Sequence, residues 1–163
     1  MLRHWRDEDV DFVLSVVSDP LIPLISEVPS DPTSDGALAF IAAQRDRIQA
    51  GHGWAWAITS VTGDVLGYVG ALWIAEPAGR ASIGYWTHNA NRRGGFTADA
   101  VRLAADWLLT EGDVARLEAF IEPWNVGSIR VAESAGFEKE GLMRSFAPLN
   151  GERRDAYLFA RIA

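Results

Sequence analysis

The sequence has no cysteine, which excludes disulfides, thiolate metal sites and covalent catalysis through a cysteine. Histidine is scarce too. His4, His52 and His88 lie far apart, none at metal-ligand spacing from a second His or a carboxylate, so no metal site is expected. Long apolar runs are also missing: Val65 to Ala75 is the longest, well short of the roughly 18 residues a membrane helix needs. The amino terminus, Met1 to Glu8, carries no signal-peptide core. These absences predict a soluble, cytoplasmic chain with no membrane partner. Neither a Walker phosphate loop nor a GxGxxG dinucleotide fingerprint is present. With no repeat, low-complexity tract or linker, residues 1–163 are expected to form a single domain.

Positive charge is in deficit, with 15 Lys and Arg against 22 Asp and Glu, a formal charge of −7. Such a surface repels nucleic-acid phosphates on average, so no nucleic-acid partner is expected, and a cationic partner suits it better. What the chain does have is core-forming material: 48% hydrophobic residues and seven tryptophans. Trp54, Trp56, Trp73 and Trp107 are assigned to that core.

Leu2 to Trp5 reads as a strand stub, and Asp7-Glu8-Asp9 as the acidic start of a helix running to about Val17. Asp19 to Asp35, with four prolines, reads as an irregular loop before a helix from about Ser34 to Ala50 that Gly51 and Gly53 end. Trp54 to Ser60 and Asp64 to Ile74 are β-rich around the Thr62-Gly63-Asp64 turn and predict an antiparallel hairpin. Ala81 to Trp86 is the next strand. A helix from about Phe96 to Thr110 is expected to bury Phe96, Ala100, Leu103, Ala104 and Trp107. Arg116 to Glu122 alternates Leu117, Ala119 and Ile121 with charged or larger residues, as a half-buried strand does. Asn150-Gly151 marks a hairpin between Leu142–Ala147 and Ala156–Phe159.

Two segments carry chemistry. Tyr85-Trp86-Thr87 leads through Arg92-Arg93-Gly94-Gly95-Phe96-Thr97 from a strand into a helix. Adjacent glycines let a backbone curl round an anion, and the first amides of a helix lack intrahelical partners. Such a turn holds a phosphate, unless it is simply a loop with two solvated arginines. Downstream, Asn125 is a good N-cap, Val126, Ile129 and Ala132 recur at helical spacing, Gly136 suits the left-handed residue that ends a helix, and Phe137 leads into a strand.

Together these segments resemble the GNAT superfamily of N-acetyltransferases, most of all the branch of the ribosomal-protein N-terminal acetyltransferases, over nearly the whole chain. The family's R/Q-x-x-G-x-G/A loop falls on Arg92, Gly95 and Thr97, with Thr97 a departure, and its later motif on Asn125, Ser128, Gly136 and Phe137. The resemblance implies an α/β (α+β) fold: one mixed, mostly antiparallel twisted sheet of six to seven strands with helices on both faces. It implies a longer first strand than Leu2 to Trp5, so that strand is expected to be truncated. It also implies acetyl-CoA as co-substrate, its diphosphate held at Arg92 to Thr97. The pantetheine arm would lie against Tyr85, Trp86 and Thr87, where the strand splays from its neighbour near a bulge and offers an amide to the thioester carbonyl.

The acceptor implied is a primary amine, preferably a peptide or protein N-terminus, attacking directly without a covalent enzyme intermediate. An amine attacks only as the free base, and α-amines and alkylamines have pKa values of about 8 and 10.4, so a base is needed. Glu122, at the end of the second splayed strand, is the candidate general base, an edge carboxylate paired with an arginine being the alternative. Many relatives carry an acid where Ser82 stands, and a tyrosine where Ala132 stands. Ser128 is then the candidate hydroxyl for the leaving sulfur, or a helix-capping residue, and Asn125 a contact to pantetheine. Glu27 and Asp31, in the loop that borders the acceptor in this family, are candidate substrate contacts or plain solvated carboxylates. Trp86 and Trp124 are candidates to shape the acceptor pocket. Two alternatives stay open: a polyamine or antibiotic acetyltransferase, and a non-catalytic acyl-CoA-binding regulatory domain. Monomer and homodimer are both compatible with the sequence.

Overall fold

The structure, a computed structural model, describes every residue except Glu76, Arg93, Asn150 and Gly151, and of Leu149 only the backbone. Seven strands make one sheet: β1 (Leu2–Arg3), β2 (Gly53–Thr59), β3 (Val65–Ile74), β4 (Arg80–Thr87), β5 (Arg116–Ile121), β6 (Glu138–Leu149) and β7 (Glu152–Ile162), in the order β1-β2-β3-β4-β5-β7-β6. Only β4 and β5 run parallel; the other neighbours are antiparallel. The expected mixed sheet is therefore present, though the Asn150-Gly151 turn falls outside the described residues. β1 is shorter than the Leu2 to Trp5 reading, because Trp5 leaves the strand to fill the core at 2% exposure.

The helices are α1 (Val10–Val17), entered through a 3-10 turn at Asp7–Asp9, α2 (Ile22–Ile25), α3 (Ser34–Gln49), α4 (Phe96–Thr110) and α5 (Val126–Ser134). Successive residues of a strand point to opposite faces, and neighbouring Ala57 and Ile58 of β2 belong to different cores. One core joins α4 and α5 to the sheet, and the other joins α1, α2 and α3. Helices thus cover both faces.

Two local expectations fail for physical reasons. The Asp19 to Asp35 loop contains the helical turn α2, because Asp19 Oδ1 accepts from the amides of Leu21 and Ile22, 2.9 and 3.1 Å away, and Pro23 supplies a fixed helical φ in the first turn. The buried face of α4 is Ala100, Val101, Ala104, Ala105 and Leu108, whereas Phe96, Leu103 and Trp107 stand about half exposed. Alanines let the helix approach the sheet closely, and the bulkier edge of its stripe overhangs the strands. There Trp107 meets Trp54 and Trp56 edge-on, and Trp54 meets Trp73 at 5.0 Å. The four tryptophans form a partly exposed cluster over β2 and β3, not the interior of the core.

The feature that positions the site is the parting of β4 from β5. Their register runs only through Arg80↔Arg116, Ala81↔Leu117 and Ser82↔Glu118. The pairing of β4 with β3 continues unbroken to Thr87, so the strands diverge without the bulge expected on β4. At the last shared pair sits Glu118, its side chain 2% exposed, with Arg80 NH2 at 2.7 Å from both oxygens and Arg116 Nε at 2.6 Å. Burying a carboxylate costs several kcal/mol unless it is paired and hydrogen-bonded. Burial pushes this carboxyl up, but the Arg80 and Arg116 guanidinium groups outweigh it and hold the pKa below the usual carboxylate range.

Candidate active site

Beyond Ser82 the edge of β4 that faced β5 has no strand to pair with, and α5 enters the gap. Tyr85 spans it: its hydroxyl donates to the Ser128 carbonyl at 2.8 Å. Burial pushes the Tyr85 hydroxyl well above the usual tyrosine range, so it stays protonated and tied to α5. Two clefts open from the gap. One, of about 470 Å3, runs between the β4–α4 loop and α5 and is lined by Tyr85, Trp86, Thr87, Arg92, Gly95 and Thr97, with Asn125 and Ser128. The other, of about 450 Å3, lies between α2, the end of β5 and the β6–β7 hairpin and is lined by Glu27, Glu122, Trp124, Asn125 and Ser128 among others. Ile25, Tyr85, Asn125 and Ser128 line both, so the clefts meet at the mouth of the splay.

The first cleft is built from backbone. Gly95 is the N-cap of α4 at φ +78°, and a Cβ there would meet nothing within 4 Å: the loop leaves open space on that side. A Cβ on Gly94 would lie 2.2 Å from the Phe96 ring, which explains the second glycine. The first-turn amides of α4 lack intrahelical acceptors and sit at the positive end of its dipole. A diphosphate fits this cradle. Thr97 does not fill it, because its hydroxyl bonds to that of Thr87 and ties the helix start back to β4. Arg92 does more than line the crevice: it donates to the Thr87 carbonyl at 3.1 Å and pairs at 2.6 Å with Asp19, whose side chain is 1% exposed and also caps α2. That ion pair joins the β4–α4 loop to α2, which walls both clefts. Arg130 of α5 adds a cation the sequence reading passed over. Arg93 lies outside the described residues.

Asn125 caps α5, its Oδ1 accepting the Ser128 amide at 3.1 Å. The Ser128 carbonyl accepts from Tyr85 and its amide donates to Asn125, and the residue lines both clefts where they join. Ala132 is fully buried against the sheet.

Glu122 follows the last residue of β5 and lines the second cleft, its carboxylate accepting the Trp124 indole N–H at 2.8 Å. Its partner is thus an indole where an arginine was the alternative. Glu118, also on β5, does not compete for the role of base, since guanidinium groups hold both its oxygens. Glu27 lines the second cleft and is anchored by Arg47, which also bonds the buried Tyr68 hydroxyl at 2.8 Å; burial pushes that hydroxyl up to about 12. Asp31 is exposed and belongs to neither lining among the described residues, so the structure does not bring it to the site. Trp86 reaches the first cleft only: its ring stacks on Tyr68 and Phe12 in the smaller core, so it does not shape the second. Sequence reading missed Asp19 and α2, which the Asp19–Arg92 pair ties to the site, and Phe120, Phe146 and Asp155, which carry no local motif and come together only through the sheet order.

The model of the acetyltransferase (GNAT) domain matches residues 1–138. The chain is 31% identical over 160 residues, 98% of its length, to the uncharacterised N-acetyltransferase p20 of Bacillus licheniformis, of which it covers 90%. Among solved structures it is similar to Mycobacterium smegmatis RimJ in complex with CoA-disulfide (TM-score 0.86, 24% identity, 99% of this chain and 81% of that one). It is likewise similar to the spermidine N-acetyltransferase from Vibrio cholerae in complex with CoA and spermine (TM-score 0.81, 15% identity, 99% and 94%). At those identities the two structures speak for the fold. The chain belongs to the GNAT acetyltransferases. It is an acetyl-CoA-dependent N-acetyltransferase of that family. No helix among the described residues is long and apolar enough to cross a membrane.

Proposed function

We propose that the acceptor is a peptide or protein N-terminal amine, entering through the second cleft and attacking at the junction of Tyr85, Asn125 and Ser128. The observation that carries this reading is the meeting of the two clefts at those residues. Acetyl-CoA, when bound, supplies an acyl group activated as a thioester. The Gly94–Thr97 turn and the start of α4 would hold its diphosphate, and the unpaired edge of β4 around Tyr85 its arm. Glu122 takes the proton of the attacking amine, directly or through a water, as the nitrogen–carbon bond forms. The carbon–sulfur bond would break to release the CoA thiolate beside Ser128 and Asn125, and the thiolate takes a proton from solvent as Glu122 gives up the one it received. No residue is acylated.

Two considerations favour an α-amine. At pH 7.5 about a quarter of a group with pKa near 8 is free base, against about 0.1% of an alkylammonium near 10.4, so the α-amine asks far less of a single carboxylate. Further, two of the three carboxylates in the lining are already engaged, Glu27 with Arg47 and Asp155 with the Ser145 amide, which leaves Glu122 for a single amine. The likenesses to RimJ and to the spermidine enzyme speak for the fold alone, so the choice rests on the amine's pKa and the cleft, and the spermidine enzyme makes a polyamine the competitor to test.

The test is release of free CoA thiol with purified protein, acetyl-CoA and a panel of short peptides, spermidine and an aminoglycoside. Turnover with peptides at least tenfold above the others is expected. Turnover confined to spermidine or the aminoglycoside overturns the peptide assignment. Thermal stabilisation by acetyl-CoA with no release from any amine overturns catalysis.

A further inference from the structure

Strand β6 is interrupted by a wide bulge directly over the second cleft. Met143 pairs with Ala156 and Ala147 with Arg154, so that Arg144, Ser145 and Phe146 stand opposite Asp155 alone. Ser145 adopts φ +55°, a left-handed conformation that a side chain disfavours. Its surroundings hold it there. The Ser145 amide donates to Asp155 Oδ1 at 2.7 Å, and Arg153 donates from Nε to the Ser145 carbonyl at 2.9 Å and its hydroxyl at 2.7 Å. Bulges of this kind bend a strand and re-aim a side chain, often beside an active site.

The side chain re-aimed here is Phe146. In the sheet order β6 is separated from β5 by β7, and strands one apart in a sheet stand roughly 9.5 Å from each other. Yet Phe146 stacks on Phe120 of β5 with ring centroids 4.7 Å apart and an interplanar angle of 19°. The two side chains therefore meet across β7, and both rings line the second cleft together with Ala147, Pro148 and the small Ala156. Phe120 and Phe146 remain half-buried, so part of each ring faces the cleft.

We infer that the Phe120–Phe146 pair, held in place by the Ser145 bulge, is an apolar subsite that selects the side chain next to the reacting amine. The acceptor it takes is an N-terminus whose first residue is bulky and apolar or aromatic. This rests on the peptide-amine reading and narrows it. Phe120 and Phe146 set specificity; they move no proton, so their removal acts on KM and leaves kcat nearly unchanged for small first residues.

The experiment compares peptides X-Ala-Ala-Ala with X as Phe, Leu, Gly or Asp, by thiol release and by calorimetric binding of the corresponding acetylated peptides to the protein with CoA. Wild type is expected to favour Phe and Leu over Gly by at least tenfold in kcat/KM and in affinity. Phe146→Ala should erase that preference by raising KM at least tenfold for the Phe and Leu peptides and several-fold less for the Gly peptide, and Phe146→Leu should retain most of it. Equal rates and affinities for all four peptides, or an equal loss for all in Phe146→Ala, overturn the subsite. If no peptide is turned over, the peptide-amine reading fails, and the calorimetric preference still decides the subsite.

Discussion

The two clefts are made in different ways. The first cleft, proposed for the cofactor, is assembled mainly from the end of β4, its loop and the start of α4, and is closed by α2 and α5. Its chemistry is that of backbone: a left-handed glycine, first-turn amides and an unpaired strand edge. The second cleft, proposed for the acceptor, adds to its share of α2 and β4 single side chains from β5, β6 and β7, and its chemistry is theirs. A site built from main chain constrains residue type and spacing, because only glycine suits some positions, whereas a site built from side chains leaves its composition to the substrate.

What the clefts share is the point at which β4 and β5 part, and the largest effect is expected there. Glu118→Gln removes a buried charge from between Arg80 and Arg116, at a cost of about 3 kcal/mol, measured by chemical denaturation. The folded pKa of Glu118 lies below its ordinary value of about 4.3. Its contribution is therefore complete at pH values above that and is lost as pH falls through the folded pKa. Wild type should lose this increment on acidification in that window, and the variant should not. If the two lose stability in parallel, or differ by less than about 1 kcal/mol at pH 7, the Arg–Glu cluster is not what fixes the splay.

On the cofactor side, Gly95→Val tests the backbone cradle. The new side chain would project into open space at φ +78°, where the diphosphate is proposed to sit. The dissociation constant of acetyl-CoA should rise at least tenfold, about 1.4 kcal/mol, read by calorimetry on protein whose thermal unfolding shows it to be folded. Unchanged affinity would remove the loop from the binding site.

That same contrast explains what could be read from the sequence. The order of strands and long helices follows from periodicity and turn residues: Phe96–Thr110 is helical as expected, Leu117, Ala119 and Ile121 face the core, and Gly136 is left-handed at φ +86°. Helix α2 was hidden by its prolines, since only the cap from Asp19, itself buried by Arg92, reveals it. The buried arc of α4 was misplaced because the apolar stripe is wider than the sheet beneath it. Glu118 sits at a polar position of an alternating strand, and nothing in the pattern marks it as buried. The Phe120–Phe146 contact spans an intervening strand beside a bulge, and neither leaves a periodic trace in the sequence.

The smallest expected effect separates two loop carboxylates that the sequence could not tell apart. Glu27 lines the acceptor cleft and pairs with Arg47, but its side chain is 58% exposed, and exposed ion pairs contribute at most about 1 kcal/mol. Glu27→Gln should therefore raise the acceptor KM two- to fivefold, roughly 0.4–1 kcal/mol, with kcat and acetyl-CoA affinity unchanged. Asp31→Asn, four residues along and outside both linings, should leave every constant within error. If the two variants behave alike, the acceptor does not pass along the α2 wall, and the entry route must run over the β6–β7 hairpin instead. If Asp31→Asn has the larger effect, the loop rearranges on binding, and the acceptor cleft then differs from the crevice in rigidity as well as in construction.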